Sequence, residues 1–280
     1  MAFNNQFMHV SPFDNFMHIR PEGHFLEAVK SFKNAGGASF NLVNFPEGTY
    51  GKNHYIDLYE KTLRVGKSIR NLGINIIITL GPYPADYLHF QQKELNPVDE
   101  MKNGIDIAVK LINDGRADAL GEIGYPHFNV DNYIYEDSEK IMIYAMEKCR
   151  DYDIPLIMHT EDMDQNKYKK LENLARKYYR TDRVLKHHAN PQDLSIDNSI
   201  LKSLVASRQN TRAGVESKKD FLLESDYTDQ IEKPDKVIPP YSVPKRAEMI
   251  KNIYDNYEDI LFRIFNEIPY KFYKKDFFLE

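Results

Sequence analysis

The chain has 280 residues, 42% of them hydrophobic and 28% charged, with a formal net charge of −5. This describes a soluble globular protein long enough to bury one large core. Nothing in it advertises a broad nucleic-acid or acidic-membrane surface. The single cysteine, Cys149, excludes an internal disulfide, fits a reducing cytosol, and lies in no cysteine motif. The opening "MAFNNQFMHV" has no charged n-region or continuous apolar stretch, so no signal peptide is expected. The longest apolar run, "INIIITL", is far below the roughly twenty residues of a membrane span. A cytoplasmic protein without a membrane partner is expected.

In chain order, "FMHVSPFDN" (7–15) reads as the first strand. "GHFLEAVKSFKNAGG" spaces Phe25, Val29 and Phe32 at helical intervals and stops at Gly36-Gly37, a C-terminal cap signal. Strand "ASFNLVNF", helix "HYIDLYEKTLRVGKSIRNLG" and buried strand "INIIITLG" follow. Helix "PVDEMKNGIDIAVKLINDG" then precedes strand "ADALGEIG", and helix "DSEKIMIYAMEKCRDYD" precedes "IPLIMHT". Helix "NKYKKLENLARKYYR" precedes "DRVLKHHA". About a dozen Asn-, Asp- and Ser-rich residues lead on to "SLVAS", so the helix after strand six should be short or missing. A short helix "RQNTRAGVESK" leads to the last strand, "DFLLESD". Eight mostly non-alternating apolar strands separated by helices predict a single-domain (β/α)8 TIM barrel over 1–280. An open doubly wound sheet is the alternative, but no GxGxxG or P-loop follows any strand. "IEKPDKVIPPYSVPK" (231–245) reads as a Pro-rich loop that could cover the barrel mouth.

Histidines and carboxylates collect at predicted C-terminal strand ends, which open on one face of such a barrel. They are Asp14 and His18 at strand one, Glu122 at strand four and His159 at strand five. His187 and His188 lie at strand six, and Glu224 and Asp226 at strand eight. Imidazole plus carboxylate without thiolate suits Zn, Mn, Fe, Co or Ni more than Ca or Mg. Taken singly, His159 could be a satisfied core residue, and Glu122 could cap the next segment or pair with Lys186. Strand alternation turns His188 away from His187. His127 could reach the mouth from its loop, whereas His9, His24, His54 and His89 read as surface or packing residues. Recurrence at four or five strand ends favours a metal site.

In order and spacing, "DNFMHI", "GEIGYPHF", "IMHT", "KHH" and "LLESDY" resemble the motifs of TatD-type metal-dependent hydrolases, most closely the archaeal-type branch. "SLVASRQN" and the Pro-rich segment also resemble that branch. The resemblance runs from residue 14 to about 270 and implies an amidohydrolase-like barrel with one or two divalent ions, Mg included. It implies that His18 is the second histidine of His-x-His and that Glu122 bridges two metals. His159 and His187 would complete one metal position, and Asp226 would bind the other metal and handle the water's proton. Phe16 falls where the family has its first histidine, and "GPYPADY" lacks the histidine many relatives carry near GxHP. The implied activity is hydrolysis, with a nucleic-acid or small-molecule substrate and nuclease action foremost. Small ester, lactone or amide hydrolysis is an alternative, and Phe16 adds a second, a barrel that binds without turnover.

Overall fold

The structure, a computed structural model, describes residues 10–232 and 238–279. Strands and helices alternate as β1 (Phe13–His18), α1 (Leu26–Asn34), β2 (Ser39–Val43), α2 (His54–Arg70) and β3 (Asn75–Leu80). Then come α3 (Asp86–Gln92), α4 (Pro97–Asn113), β4 (Ala119–Gly124), α5 (Asn132–Tyr152) and β5 (Leu156–His159). The second half runs through α6 (Gln165–Tyr178), β6 (Val184–Ala189), β7 (Leu201–Val205), α7 (Arg208–Ser217), β8 (Leu222–Glu224) and β9 (Tyr227–Thr228). Last come α8 (Ser242–Ile253), α9 (Tyr257–Phe262), a π-helical stretch (Arg263–Glu267) and α10 (Ile268–Tyr273). Every strand pairing is parallel, in the order β8-β7-β6-β5-β4-β3-β2-β1-β9. This is the expected (β/α)8-type barrel. Between β6 and β7 only a five-residue 3-10 turn, Pro191–Ser195, replaces a helix.

Three expectations need correcting. The first strand is "FDNFMH" itself; residues 7–9, including His9, lie outside the described residues. Asp14 is therefore inside the strand, with His18 at its end. The eighth strand is interrupted: β8 pairs with β7, and two residues later β9 pairs with β1. The Pro-rich segment falls partly on residues 233–237, which lie outside the described residues, and its last part, Ser242–Lys245, opens α8. No described helix is long and apolar enough to cross a membrane.

Strand alternation sorts the apolar residues into two layers. Ile76, Ile78 and Leu80 pack outward among helix residues such as Val29, Ile69 and Ile105. Phe16, Ile77, Ala119, Ile157 and Leu185 belong to the inner core. Helix α1 buries Ala28, Val29 and Phe32, one face at helical spacing, and α4 starts with Pro97 behind an Asn96 cap. The start of β1 is plugged by the C-terminal segment: Phe13 meets Phe278 and Tyr273 edge-on, at 4.9 and 5.8 Å between ring centres. Tyr273 donates its hydroxyl to Asn15 at 2.7 Å. The opposite end, where the strands finish, is left for the site.

The seam between β1 and the β8–β9 run is held by Asp14, which is fully buried. Its Oδ1 accepts from the Ser225 N–H at 2.9 Å and from the Phe16 N–H at 3.2 Å. Burial pushes the Asp14 carboxyl up to about 7, so the native state favours its neutral form. That contribution is full below the unfolded-chain value of about 3.9 and is lost as pH rises through about 7, on the order of 4 kcal/mol in all. Asp14→Asn keeps the acceptor and should remove this dependence. At pH 5, Asp14→Ala should lose roughly 2–4 kcal/mol by leaving two buried N–H groups unpaired. Urea unfolding across pH 5–8 checks both. A parent-to-Asn difference that ignores pH, or an Ala variant as stable as the Asn one, would remove Asp14 from this role.

Candidate metal centre

The site starts with a break in alternation on β4. Leu120 and Ile123 both pack in the outer layer, and the pairing with β5 shifts between them. Two residues, Gly121 and Glu122, stand between these outward positions, and the irregularity turns Glu122 inward, as bulges beside active sites do. The glycines of "GEIG" let the two strands close up. A Cβ on Gly124 would run into the His159 carbonyl oxygen, and one on Gly121 would come within 2.8 Å of Ile157. Pairing shifts also occur in β1 between Asp14 and Met17 and in β6 between Lys186 and Ala189, where His188 has φ 50. Sequence reading missed all three irregularities; the Gly-x-x-Gly of "GEIG" was the available signal for the one in β4.

Glu122, His159 and His187 converge. Glu122 Oε2 lies 2.7 Å from His159 Nδ1 and 2.9 Å from His187 Nε2, and those two nitrogens are 2.8 Å apart. Among the described residues these three form the cluster able to hold a metal ion. Burial alone would raise the Glu122 carboxyl, but the facing His159 and His187 rings outweigh it and hold Glu122 well below the usual range. Burial lowers His159 to about 4. It also works against a proton on His187, but the carboxylates of Glu122 and Glu224 prevail and push that ring up to about 10. His187 Nδ1 faces Glu224 Oε1 at 3.4 Å without a formed hydrogen bond. Two imidazole nitrogens and a carboxylate oxygen aimed at one point suit a divalent cation, with Glu224 placed behind His187 to orient its ring.

The other expected residues surround this triangle. His18 sets its Nδ1 against the Val43 carbonyl at 3.2 Å and its Nε2 3.7 Å from Glu122 Oε1, the carboxylate oxygen facing away from the other histidines. Asp226, at φ 50 just after β8, lies outside the triangle, with Oδ2 3.8 Å from His188 Nε2. His188 points outward, with a side chain 60% exposed against 2% for His187. Asp14 serves the seam. Lys186 is buried with Nζ near the His187 and His188 carbonyls, which leaves the Glu122 carboxylate to the histidines. Phe16 lies fully buried and stacks on His187, ring centres 4.1 Å apart and planes within 8°. His127 does reach the mouth, with Nδ1 2.9 Å from His159 Nε2. Tyr83, in "GPYPADY", sets its ring edge-on to His159 at 5.0 Å. His54 and His89 pack with Tyr50.

Residues 13–274 match the family described as TatD related DNase, and the chain belongs to that family. An uncharacterized protein of Methanocaldococcus jannaschii is 25% identical over 274 residues, covering 94% of this chain and 95% of that one. Among solved structures, YjjV, a TatD homolog from Escherichia coli, covers 96% of this chain and 100% of its own at a TM-score of 0.67 and 14% identity. The phosphotriesterase homology protein from Escherichia coli, complexed with phosphate in its active site, covers 95% of this chain and 100% of its own. Its TM-score is 0.58 at 14% identity. Likeness at this identity shows the fold alone. The family match and the Glu122–His159–His187 cluster support a metal-dependent hydrolase.

If one ion takes both imidazoles, His159→Ala and His187→Ala should each lower bound metal to a small fraction of the parent value. Elemental analysis after matched metal exposure and desalting measures this. Undiminished metal in both variants would put the ion elsewhere.

Proposed function

We propose that the chain hydrolyses a phosphodiester, or another ester or amide bond, at a divalent metal held by Glu122, His159 and His187. The convergence of Glu122 Oε2, His159 Nδ1 and His187 Nε2 within 2.9 Å carries this reading. A bound divalent ion supplies Lewis acidity there, acidifying a water molecule and polarising the bond under attack. Glu122 presents Oε2 to this position and Oε1 towards His18, whose Nε2 lies 3.7 Å away. Asp226 is assigned as the proton acceptor. Burial raises its carboxyl above the ordinary aspartate range; His187 pulls the other way, and Glu224 and Glu122 add to the rise. A carboxylate so raised is a better base near neutral pH. Free, buried Cys149 accords with the cytoplasmic location we propose.

Deoxyribonuclease action is the first substrate class to test, because the family carries that description. A net charge of −5 favours a local contact with nucleic acid over a long basic track. The second reading, hydrolysis of a small ester, lactone or amide, draws on the same absence of a track. Phosphodiester, phosphomonoester, lactone and amide reporters screened against Zn, Mn, Co, Ni, Fe and Mg test these together. No turnover with any pair, in protein that holds metal, would favour a binding barrel instead. Asp226→Asn keeps the shape and removes the base, so it should lower turnover by at least about 100-fold with little change in melting temperature. Turnover near the parent rate would take Asp226 out of the mechanism.

Phe16 favours one ion over two. Its ring is on the inner face beside His18, 5.2 Å between ring centres, and offers no lone pair there. Phe16→His should raise metal stoichiometry towards two per chain, read by elemental analysis. Equal stoichiometry with a lower melting temperature would show that the ring serves packing alone.

A further inference from the structure

The loop after β4 brings His127 to the open side of the cluster. Tyr125 fixes this loop: its N–H donates to the His159 carbonyl at 3.0 Å and its hydroxyl to Glu139 at 2.9 Å. His127, exposed two residues later, sets Nδ1 2.9 Å from His159 Nε2. The nitrogen of His159 that joins the cluster is the other one, Nδ1. A neutral imidazole that lends Nδ1 to a cation must carry its proton on Nε2, and that proton needs an acceptor. His127 Nδ1 is the atom in place to accept it. The Tyr83 hydroxyl, at 3.5 Å from the same nitrogen, is beyond a well-formed bond and does not compete.

We propose that His127 is a positioning residue: by accepting the Nε2–H of His159 it fixes the ring's tautomer and orientation, and so sets the metal affinity of the centre. Glu224 stands in the corresponding place behind His187, at 3.4 Å from its Nδ1, so each ligand imidazole has its own partner on the far side. His159's partner is an exposed imidazole on a surface loop, where His187's is a buried carboxylate. The two halves of the cluster are therefore unequal, and the His159 side is the one a loop displacement can loosen.

The inference rests on the metal-site reading, and the test separates the two. Zn2+ affinity is measured by chelator competition for the parent, His127→Ala and His127→Asn. The Asn carboxamide oxygen can occupy the place of Nδ1 as an acceptor, so this variant should stay close to the parent. The Ala variant should bind about 10- to 100-fold more weakly. In the Zn2+-loaded proteins, the His159 Nε2–H resonance, assigned through its couplings to the carbon-bound protons of the ring, should be protected from exchange in the parent and Asn variant and lost in the Ala variant. Equal affinities and equal protection in all three overturn the role of His127 while leaving the metal site standing. A parent that holds no Zn2+ overturns both.

Discussion

Barrel closure depends on seven residues, Leu222 to Thr228, that leave one neighbouring strand and join another. The β8 part pairs with β7, the β9 part with β1, and the two residues between belong to neither ladder. Their backbone must find partners inside the protein, because an unmet N–H there would cost as much as the seam gains. Asp14 supplies one by accepting from Ser225. The choice of a carboxyl is a compromise: it is a short side chain with a strong acceptor, held where burial opposes its charge. Once the seam is fixed, His18 at the end of β1 faces Glu122 across the mouth, and Glu224 at the end of β8 reaches His187. The geometry of the centre is thus inherited from the closure.

The centre itself obeys the opposite electrostatic rule. Asp14 is buried among backbone groups and driven towards neutrality, while Glu122 is equally buried yet held strongly ionised by the imidazoles around it. Burial disfavours charge in both, and the neighbours decide the outcome. A carboxylate kept charged in a buried pocket is a strong attractor for a cation, and the two histidines that stabilise it complete the cluster able to hold one. Phe16 occupies the same wall without joining this exchange. Its ring covers one face of His187, which restricts ring rotation and keeps water from that side.

Much of the plan was legible in the sequence because parallel strands obey a simple grammar: apolar runs, helix stops, and functional groups at carboxyl ends. The short connection after strand six could be read from a stretch too polar and too brief for a helix. His188 could be placed outside because it follows His187 directly. What could not be read was where alternation breaks. A strict period of two would send Glu122 outward beside Leu120's layer; the pairing shift that turns it inward depends on close contact between β4 and β5, which a one-dimensional pattern does not contain. Asp14 was misplaced for a similar reason. A carboxylate near a strand end looks like a ligand until the neighbouring chain shows a backbone N–H facing it. The contact of His127 with His159 depends on a loop conformation fixed by Tyr125, and residue spacing alone left it open.

The plug at the other end of the barrel has a consequence for the order in which the protein can be assembled. Phe13 and Asn15, near the start of the first strand, are covered by Phe278 and Tyr273, and the Tyr273–Asn15 bond joins residues 258 positions apart. Contacts so distant in sequence bear a large loop-closure entropy and form late. During synthesis the strands can gather from the first to the eighth, yet the interior floor stays open until Tyr273 and Phe278 have been made. A nascent chain stalled shortly before that point holds a nearly complete barrel with an unlined base, exposing aromatic and amide groups that the finished protein hides. Such intermediates are where aggregation and chaperone capture compete with folding, so Tyr273 and Phe278 bear on yield although they sit at the start of β1, opposite the end that carries the site.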